Sequence, residues 1–303
     1  MRNNMKRESI RTLENGYYHL STDGLSGGNI FNNVAQYAFG MILMGLITIR
    51  FSLKVYVFCL MPNHIHIILS GTGSNCLLAF DYLKRKLSAR LKKDGYTPLP
   101  DDYWFKLTPI TTPEQMRSEI LYVLRNPLEK GLAMVGGYLW SSEWLYYTEF
   151  TDLMSTIAST KISKRELKKV LMGEDSIPEE WRIHPYVGLH PSCFVDKSLV
   201  LKLFPSPKDL QTALVKDYET YFQIASRLGE VCEFSKTERD SIVEQTLQKR
   251  FHGRSLNALT EEDRAKLAII LNREFGFDSY QISTTVFIKE KTVRQLLSSK
   301  ELR

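Results

Sequence analysis

Hydrophobic and polar positions along the chain predict strands near the N-terminus and helices after them. Residues 17–22 alternate weakly. Residues 53–60 and 65–69 are rich in Val, Ile, Tyr and Phe and flank a Pro62-Asn63 turn signal, so all three runs are expected to be strands. Residues 31–49 are expected to form a helix between the first two. From Cys76 onward the run LLAFDYLKRKLSARLKK carries Leu78, Tyr82, Leu83 and Leu87 at helical spacing, which predicts a second helix with one apolar face. A further start signal is Thr112-Pro113-Glu114-Gln115, in which Thr112 caps, Pro113 takes the first helical position and Gln115 completes a capping box. That helix is expected to reach about residue 125, to be disturbed by Pro127, which also biases Asn126 away from helical dihedrals, and to end at Gly131.

Beyond residue 150 the pattern becomes helical segments broken by prolines at 178, 185, 191, 205 and 207, which places a boundary between residues 150 and 164. The end of the chain, DRAKLAIILNREFGFDSYQISTTVFIKEKTVRQLLSSK, predicts helices over 263–275, 279–285 and 289–299. Leu267, Ile270, Leu271, Ile282, Val293 and Leu296 are expected to share their core. The spacing resembles a helix-turn-helix whose last helix offers Lys289, Lys291, Thr292, Arg294 and Gln295 to a DNA groove. Small helical packing modules share the pattern, and acidic residues 261–263 precede it. The expected organisation is residues 1–155, a helical linker region of unassigned role over 156–255, and a helix-turn-helix module over 256–303.

Composition narrows the class without choosing a function. The 303 residues are 43% hydrophobic and 24% charged, enough apolar material for one or two cores. Four cysteines without paired spacing suggest neither a thiolate zinc site nor a disulfide framework, and a reduced, cytoplasmic protein is expected. No apolar stretch before the histidines is long enough to span a bilayer. The formal charge is +6 and the pI about 9.0. Residues 1–130 hold 16 Lys+Arg and 10 Asp+Glu, so the whole excess lies there, and a phosphate-facing surface is expected in that half. Lys84, Arg85, Lys86 and Arg90 in the second helix are its candidates; the alternative is a solvated helix face.

The chemistry concentrates in two places. In VFCLMPNHIHIILS, His64 and His66 lie two apart on an expected strand and therefore point to one face. Two imidazoles so placed make half a metal site, although two ordinary buried histidines would look the same. Position 68 is Ile, which disfavours a histidine-triad hydrolase. In LYVLRNP, Tyr122 and Asn126 are four apart on the third helix and can share its face. A phenol can act as a covalent nucleophile, and an amide oxygen suits a hard divalent cation. A core tyrosine followed by a helix-ending Asn-Pro is the other reading. His184, His190 and His252 are expected to be structural or exposed.

Taken together, CLMPNHIHIIL, YVLRNPLEKGLA and WSSEWLYY resemble the single-tyrosine HUH transposases, in particular the REP-associated tyrosine transposases, over residues 14 to 150. The segment DDYWFKLTPI departs from the Arg-rich, aromatic stretch that such a protein would carry there. The resemblance implies an α+β fold, a ferredoxin-like antiparallel sheet with flanking helices, followed here by the mostly helical C-terminal region. It implies that His64 and His66, with Asn126 as third ligand, bind Mg²⁺ or Mn²⁺, and that Tyr122 is the nucleophile.

The activity it implies is cleavage and rejoining of single-stranded, hairpin-bearing DNA with palindromic elements through a 5′-phosphotyrosine. Tyr82, Tyr103 and Trp104 are candidate base-stacking residues. A DNA-bound protein of this kind is expected at the bacterial nucleoid, as a monomer or homodimer and not at a membrane. The competing expectation is a domesticated regulator that binds DNA through the same fold without turnover.

Overall fold

Strands β1 (Gly16–Thr22), β2 (Lys54–Leu60), β3 (Ile65–Gly71) and β4 (Phe105–Ile110) pair in the order β2-β3-β1-β4, every neighbour antiparallel. Helix α1 (Arg2–Arg11) precedes the sheet, α2 (Val34–Arg50) links β1 to β2, α3 (Gly73–Lys93) links β3 to β4, and α4 (Pro113–Glu129) follows β4. This βαββαβ order, with the first and third strands central, is the ferredoxin-like arrangement, and the chain is an α+β protein. The computed structural model describes residues 2–25, 28–146, 157–158, 163, 165, 168, 177–184, 188–216, 218–230 and 234–298. The chain divides into two units, Met1–Leu214 and Val215–Arg303. The expected boundary between residues 150 and 164 lies outside the described residues except at 157–158 and 163.

Strand parity assigns the two faces of the sheet. His66 lies opposite both Ser21 and Cys59, and Ile68 lies opposite His19 and Val57, so these side chains share one face. Ile65 and Ile67, opposite Leu60 and Phe58, point to the other. Helix α2 covers that second face. A Cβ on its Gly40 would lie 2.8 Å from the Phe31 ring and 3.0 Å from Leu60, so the missing side chain sets how close helix and sheet approach. Asn33 caps α2 by accepting from the Gln36 N–H at 3.0 Å. A small sheet, β5 (Ile157–Ala158), β6 (Arg182–His184) and β7 (Gly188–Leu189), also meets α2. Gly188 there has φ of +79° and stands against the carbonyl of Ala38, two demands that only glycine meets without strain.

Helix α4 corrects two local expectations. Thr112 caps it through the Gln115 N–H at 3.1 Å, but the Gln115 side chain accepts from Thr111 N–H at 2.9 Å instead of returning to Thr112. The helix also runs through Pro127 to Glu129, so Asn126 keeps helical dihedrals. Proline removes one donor, but the ladder resumes at once: Lys130 N–H bonds Asn126 O at 3.1 Å and Gly131 N–H bonds Leu128 O at 3.0 Å, with Gly131 in the left-handed region at φ +63°. Burial of nearly every α4 side chain from Met116 to Pro127 holds the helix where local preference would end it. Strand β4, which its sequence pattern did not announce, is held against β1 through the pair Thr22 and Phe105 up to Tyr17 and Ile110.

Two further helices, α5 (Ser198–Leu203) and α6 (Pro207–Lys216), lead out of the first unit. The second unit is helical: α7 (Tyr218–Leu228), α8 (Lys236–Arg250), α9 (Glu261–Phe275), α10 (Ser279–Val286) and α11 (Glu290–Ser298). Ser235 and Asp278 close capping boxes at the starts of α8 and α10. Leu267, Leu271, Ile282 and Val293 meet in its buried core. Leu297 and Ile270 pack against it, and Leu296 is half-buried. Helices α10 and α11 are joined by residues 287–289, with Phe287 in the left-handed region at φ +57°, in a helix-turn-helix arrangement.

Candidate metal centre and nucleophile

The β2–β3 connection is fixed from several sides, which explains how a loop can carry a precise ligand. Met61 N–H bonds His64 O at 2.9 Å, the Ile30 and Phe31 N–H groups both reach Pro62 O, and Leu25 N–H reaches Asn63 O at 3.1 Å. Thr22 Oγ1 accepts from Ile65 N–H at 2.9 Å. His64 is thereby held one residue before β3 and His66 within it, and their ring centroids lie 4.7 Å apart with the planes at 87°. Their ligand nitrogens lie within 4.8 Å of one another, a separation that a single cation can bridge. This juxtaposition is the one expected from strand parity.

Tyr122 comes to the same place from α4. Its ring is edge-on to His66, 5.4 Å between centroids at 89°, and it is fully buried in the structure. Asn126 lies one turn further along α4. Its Nδ2 donates to Tyr122 O at 2.9 Å, whereas its Oδ1 is buried with no hydrogen-bond partner among the described residues. Leaving an acceptor in that state costs about 1–3 kcal/mol, and a hard cation is the kind of partner that such an oxygen lacks. Two imidazoles and a neutral amide oxygen are donor types that fit a divalent ion.

Two participants were absent from the sequence expectations. His19 in β1 places Nδ1 2.8 Å from Glu119 Oε2 and Nε2 3.1 Å from His66 Nδ1, and all three residues are buried. The signal for Glu119 was present in the sequence: it lies three residues before Tyr122 and seven before Asn126, on one helical face. For His19 there was only a histidine in an alternating run. His64 is oriented separately, its Nδ1 standing 2.7 Å from Asn63 Oδ1. Burial first, and then the neighbouring His64 and His19 imidazoles, hold the pKa of His66 well below its ordinary value. His66 is therefore neutral near pH 7, the form that binds metals.

The expected stacking aromatics are corrected. Tyr82, Tyr103 and Trp104 are only 4%, 5% and 8% exposed, and Phe80 packs against both Tyr103 and Trp104. Tyr103 and Trp104 complete the core where α3 meets β4, and Tyr82 packs edge-on to Phe51. The basic cluster is partly committed within the fold. Lys84 Nζ donates to Asp101 O at 2.6 Å and Tyr103 O at 3.1 Å, and Arg90 bonds Asp94 at 2.7 Å. Arg85 and Lys86 lie over the Tyr82 ring together with Arg50. In the second unit Lys289, Lys291, Thr292, Arg294 and Gln295 are all exposed, and Arg294 pairs with Glu290 at 2.7 Å. His190 is buried with Nδ1 2.8 Å from Ser192 Oγ, and His252 is exposed.

Fold and site together define an α+β protein with a ferredoxin-like sheet that carries a paired-histidine centre beside a buried tyrosine. Among solved structures, a REP-associated tyrosine transposase bound to a REP hairpin is similar to this chain at a TM-score of 0.37 and 14% identity, covering 44% of this chain and 80% of that one. No protein-family model matches the chain, and no curated protein matches it. Among the described residues no helix is long and apolar enough to cross a membrane.

Proposed function

We propose that the protein is a metal-dependent DNA strand transferase of the single-tyrosine HUH kind, cleaving and rejoining single-stranded, hairpin-bearing DNA. The observation that carries this reading is the convergence of His64, His66 and Tyr122 at ring separations of 4.7 and 5.4 Å. His64, His66 and Asn126 would hold Mg²⁺ or Mn²⁺. When bound, such an ion polarises a phosphate oxygen and stabilises charge developing at the scissile linkage.

The chain's own residues supply the remainder. The Tyr122 oxygen attacks phosphorus, the phenolic proton is lost, and the 3′ oxygen leaves as a hydroxyl, so that the 5′ phosphate becomes esterified to the tyrosine. The reverse attack by a second 3′-hydroxyl rejoins strands without an external energy source. Tight packing of α4 against the sheet keeps the phenol at the histidines. Arg85 and Lys86 would contact backbone phosphates of the DNA. Lys289, just before α11, and Lys291, Thr292, Arg294 and Gln295 within it would bind duplex or hairpin DNA.

The test is incubation of labelled single-stranded DNA with the protein and Mn²⁺, followed by denaturing electrophoresis. A covalent adduct is expected with the natural chain and none with Tyr122→Phe, which keeps the ring and should change stability by no more than about 1 kcal/mol. An adduct that persists in Tyr122→Phe removes Tyr122 as nucleophile. A natural chain that binds hairpin DNA but forms no adduct would be a non-catalytic regulator.

A further inference from the structure

Glu119, His19 and His66 form a continuous chain of contacts that begins on α4, crosses β1 and ends on β3. The distances are 2.8 Å from Glu119 Oε2 to His19 Nδ1 and 3.1 Å from His19 Nε2 to His66 Nδ1. Exposure is 1% at Glu119 and zero at both histidines. The geometry follows from sheet register: His19 lies opposite Ile68, and His66 lies opposite Ser21, so the two imidazoles are a diagonal pair on one face, within reach only of long side chains.

The direction of the bonds is set by chemistry. An ionised carboxylate only accepts, so His19 Nδ1 must carry the proton that it shares with Glu119. A neutral imidazole has one donor, so His19 Nε2 then accepts, and His66 Nδ1 is the donor to it. His66 is left in the tautomer whose lone pair is on Nε2. At His64 the result is the same by different means, because an amide oxygen also only accepts: Asn63 Oδ1, 2.7 Å away, draws the proton to Nδ1. Two unrelated devices thus put the ligand lone pair of both histidines on Nε2.

We propose that His19 and Glu119 are positioning residues, a carboxylate–imidazole relay that fixes the ring plane and tautomer of His66 for a divalent cation. The role rests on the metal-centre reading given above, but the tautomer itself is a property of the metal-free protein. An imidazolium at His19 would donate from both nitrogens and turn the His66 lone pair away from the cation. In Glu119→Gln an amide can donate to His19 and reverse the whole chain at almost no change in volume. Conversely, His19→Gln preserves both bonds, its amide N–H reaching Glu119 and its oxygen accepting from His66. His19→Leu abolishes both.

The experiment has two readouts on the full-length chain. Long-range ¹H–¹⁵N spectra of histidine-labelled, metal-free protein, with His66 and His19 assigned from His66→Gln and His19→Gln samples, should show both residues protonated at Nδ1 and not at Nε2. His66 protonated at Nε2 in the natural chain would overturn the relay. Calorimetric titration with MnCl₂ supplies the second readout. Glu119→Gln and His19→Leu should weaken Mn²⁺ binding about 10–100-fold, and His19→Gln should restore it to near the natural value. Unchanged affinity in Glu119→Gln, in a natural chain that does bind Mn²⁺, also overturns the relay. A natural chain that binds no Mn²⁺ removes the metal reading instead, and the ¹⁵N pattern then judges the relay alone.

Discussion

Asn126→Leu separates a metal ligand from a packing amide, because the two roles predict opposite costs. In the structure Asn126 makes one bond, Nδ2 to Tyr122 O at 2.9 Å, and keeps Oδ1 buried without a hydrogen-bond partner among the described residues. Losing the bond costs about 1 kcal/mol, and removing the unsatisfied acceptor returns about 1–3 kcal/mol. The metal-free protein should therefore be unchanged or more stable by up to about 2 kcal/mol, a gain on which the slightly larger methyl groups draw. For a unit of this size, each kcal/mol moves Tm by about 2–4 °C.

Metal should reverse that ranking. At a free Mn²⁺ concentration 100 times the Kd, the natural chain gains about 2.7 kcal/mol, whereas a site weakened tenfold gains only about 1.4 kcal/mol. The assay is thermal unfolding in EDTA and at that fixed MnCl₂ concentration. The expected result is an equal or higher Tm in EDTA and roughly half the metal-induced rise. A variant that loses several degrees in EDTA yet keeps the full rise with Mn²⁺ would show that Asn126 is part of the packing and that the ligand argument is wrong.

Three other outcomes follow from separate parts of the molecule. Burial, partly offset by the Gly136 N–H, lifts the Glu143 carboxyl to about 7; a raised acid makes the fold lose stability as pH climbs from about 4.5 to 7, by about 3 kcal/mol in all. Glu143→Gln should therefore match the natural chain at pH 5 and exceed it in Tm at pH 8, and parallel Tm profiles would refute the cause. Replacing Lys291 and Arg294 together by Ala should weaken duplex binding and reduce the slope of log K against log salt by about 2; an unchanged slope in a fluorescence-anisotropy titration would leave α11 as a packing helix. Gly188→Ala forces a side chain onto φ +79° and against Ala38 O, and should destabilise the first unit by at least about 1–3 kcal/mol in urea unfolding, whereas a neutral result would mean that β7 is not pinned to α2.

What the sequence determined by itself was local. A period of two puts His64 and His66 on one face, a period near four puts Tyr122 and Asn126 on another, and Thr112 announces where α4 begins; each depends only on backbone geometry within a few residues. The helix-turn-helix was legible for the same reason, because α9, α10 and α11 are consecutive and their core positions repeat at helical spacing. Tertiary structure decided the rest. His19 joins the centre only because β1 pairs with β3 in one particular register, and Glu119 only because α4, 100 residues from His19, packs on that face of the sheet. Helical spacing shows that Glu119 shares a face with Tyr122 and Asn126, but nothing periodic in the chain says that His19 will meet it. Pro127 stays helical and Tyr82, Tyr103 and Trp104 turn inward for a shared reason: burial of large side chains outweighs local propensity of about 1–3 kcal/mol, and which surfaces are buried is settled only when distant elements meet.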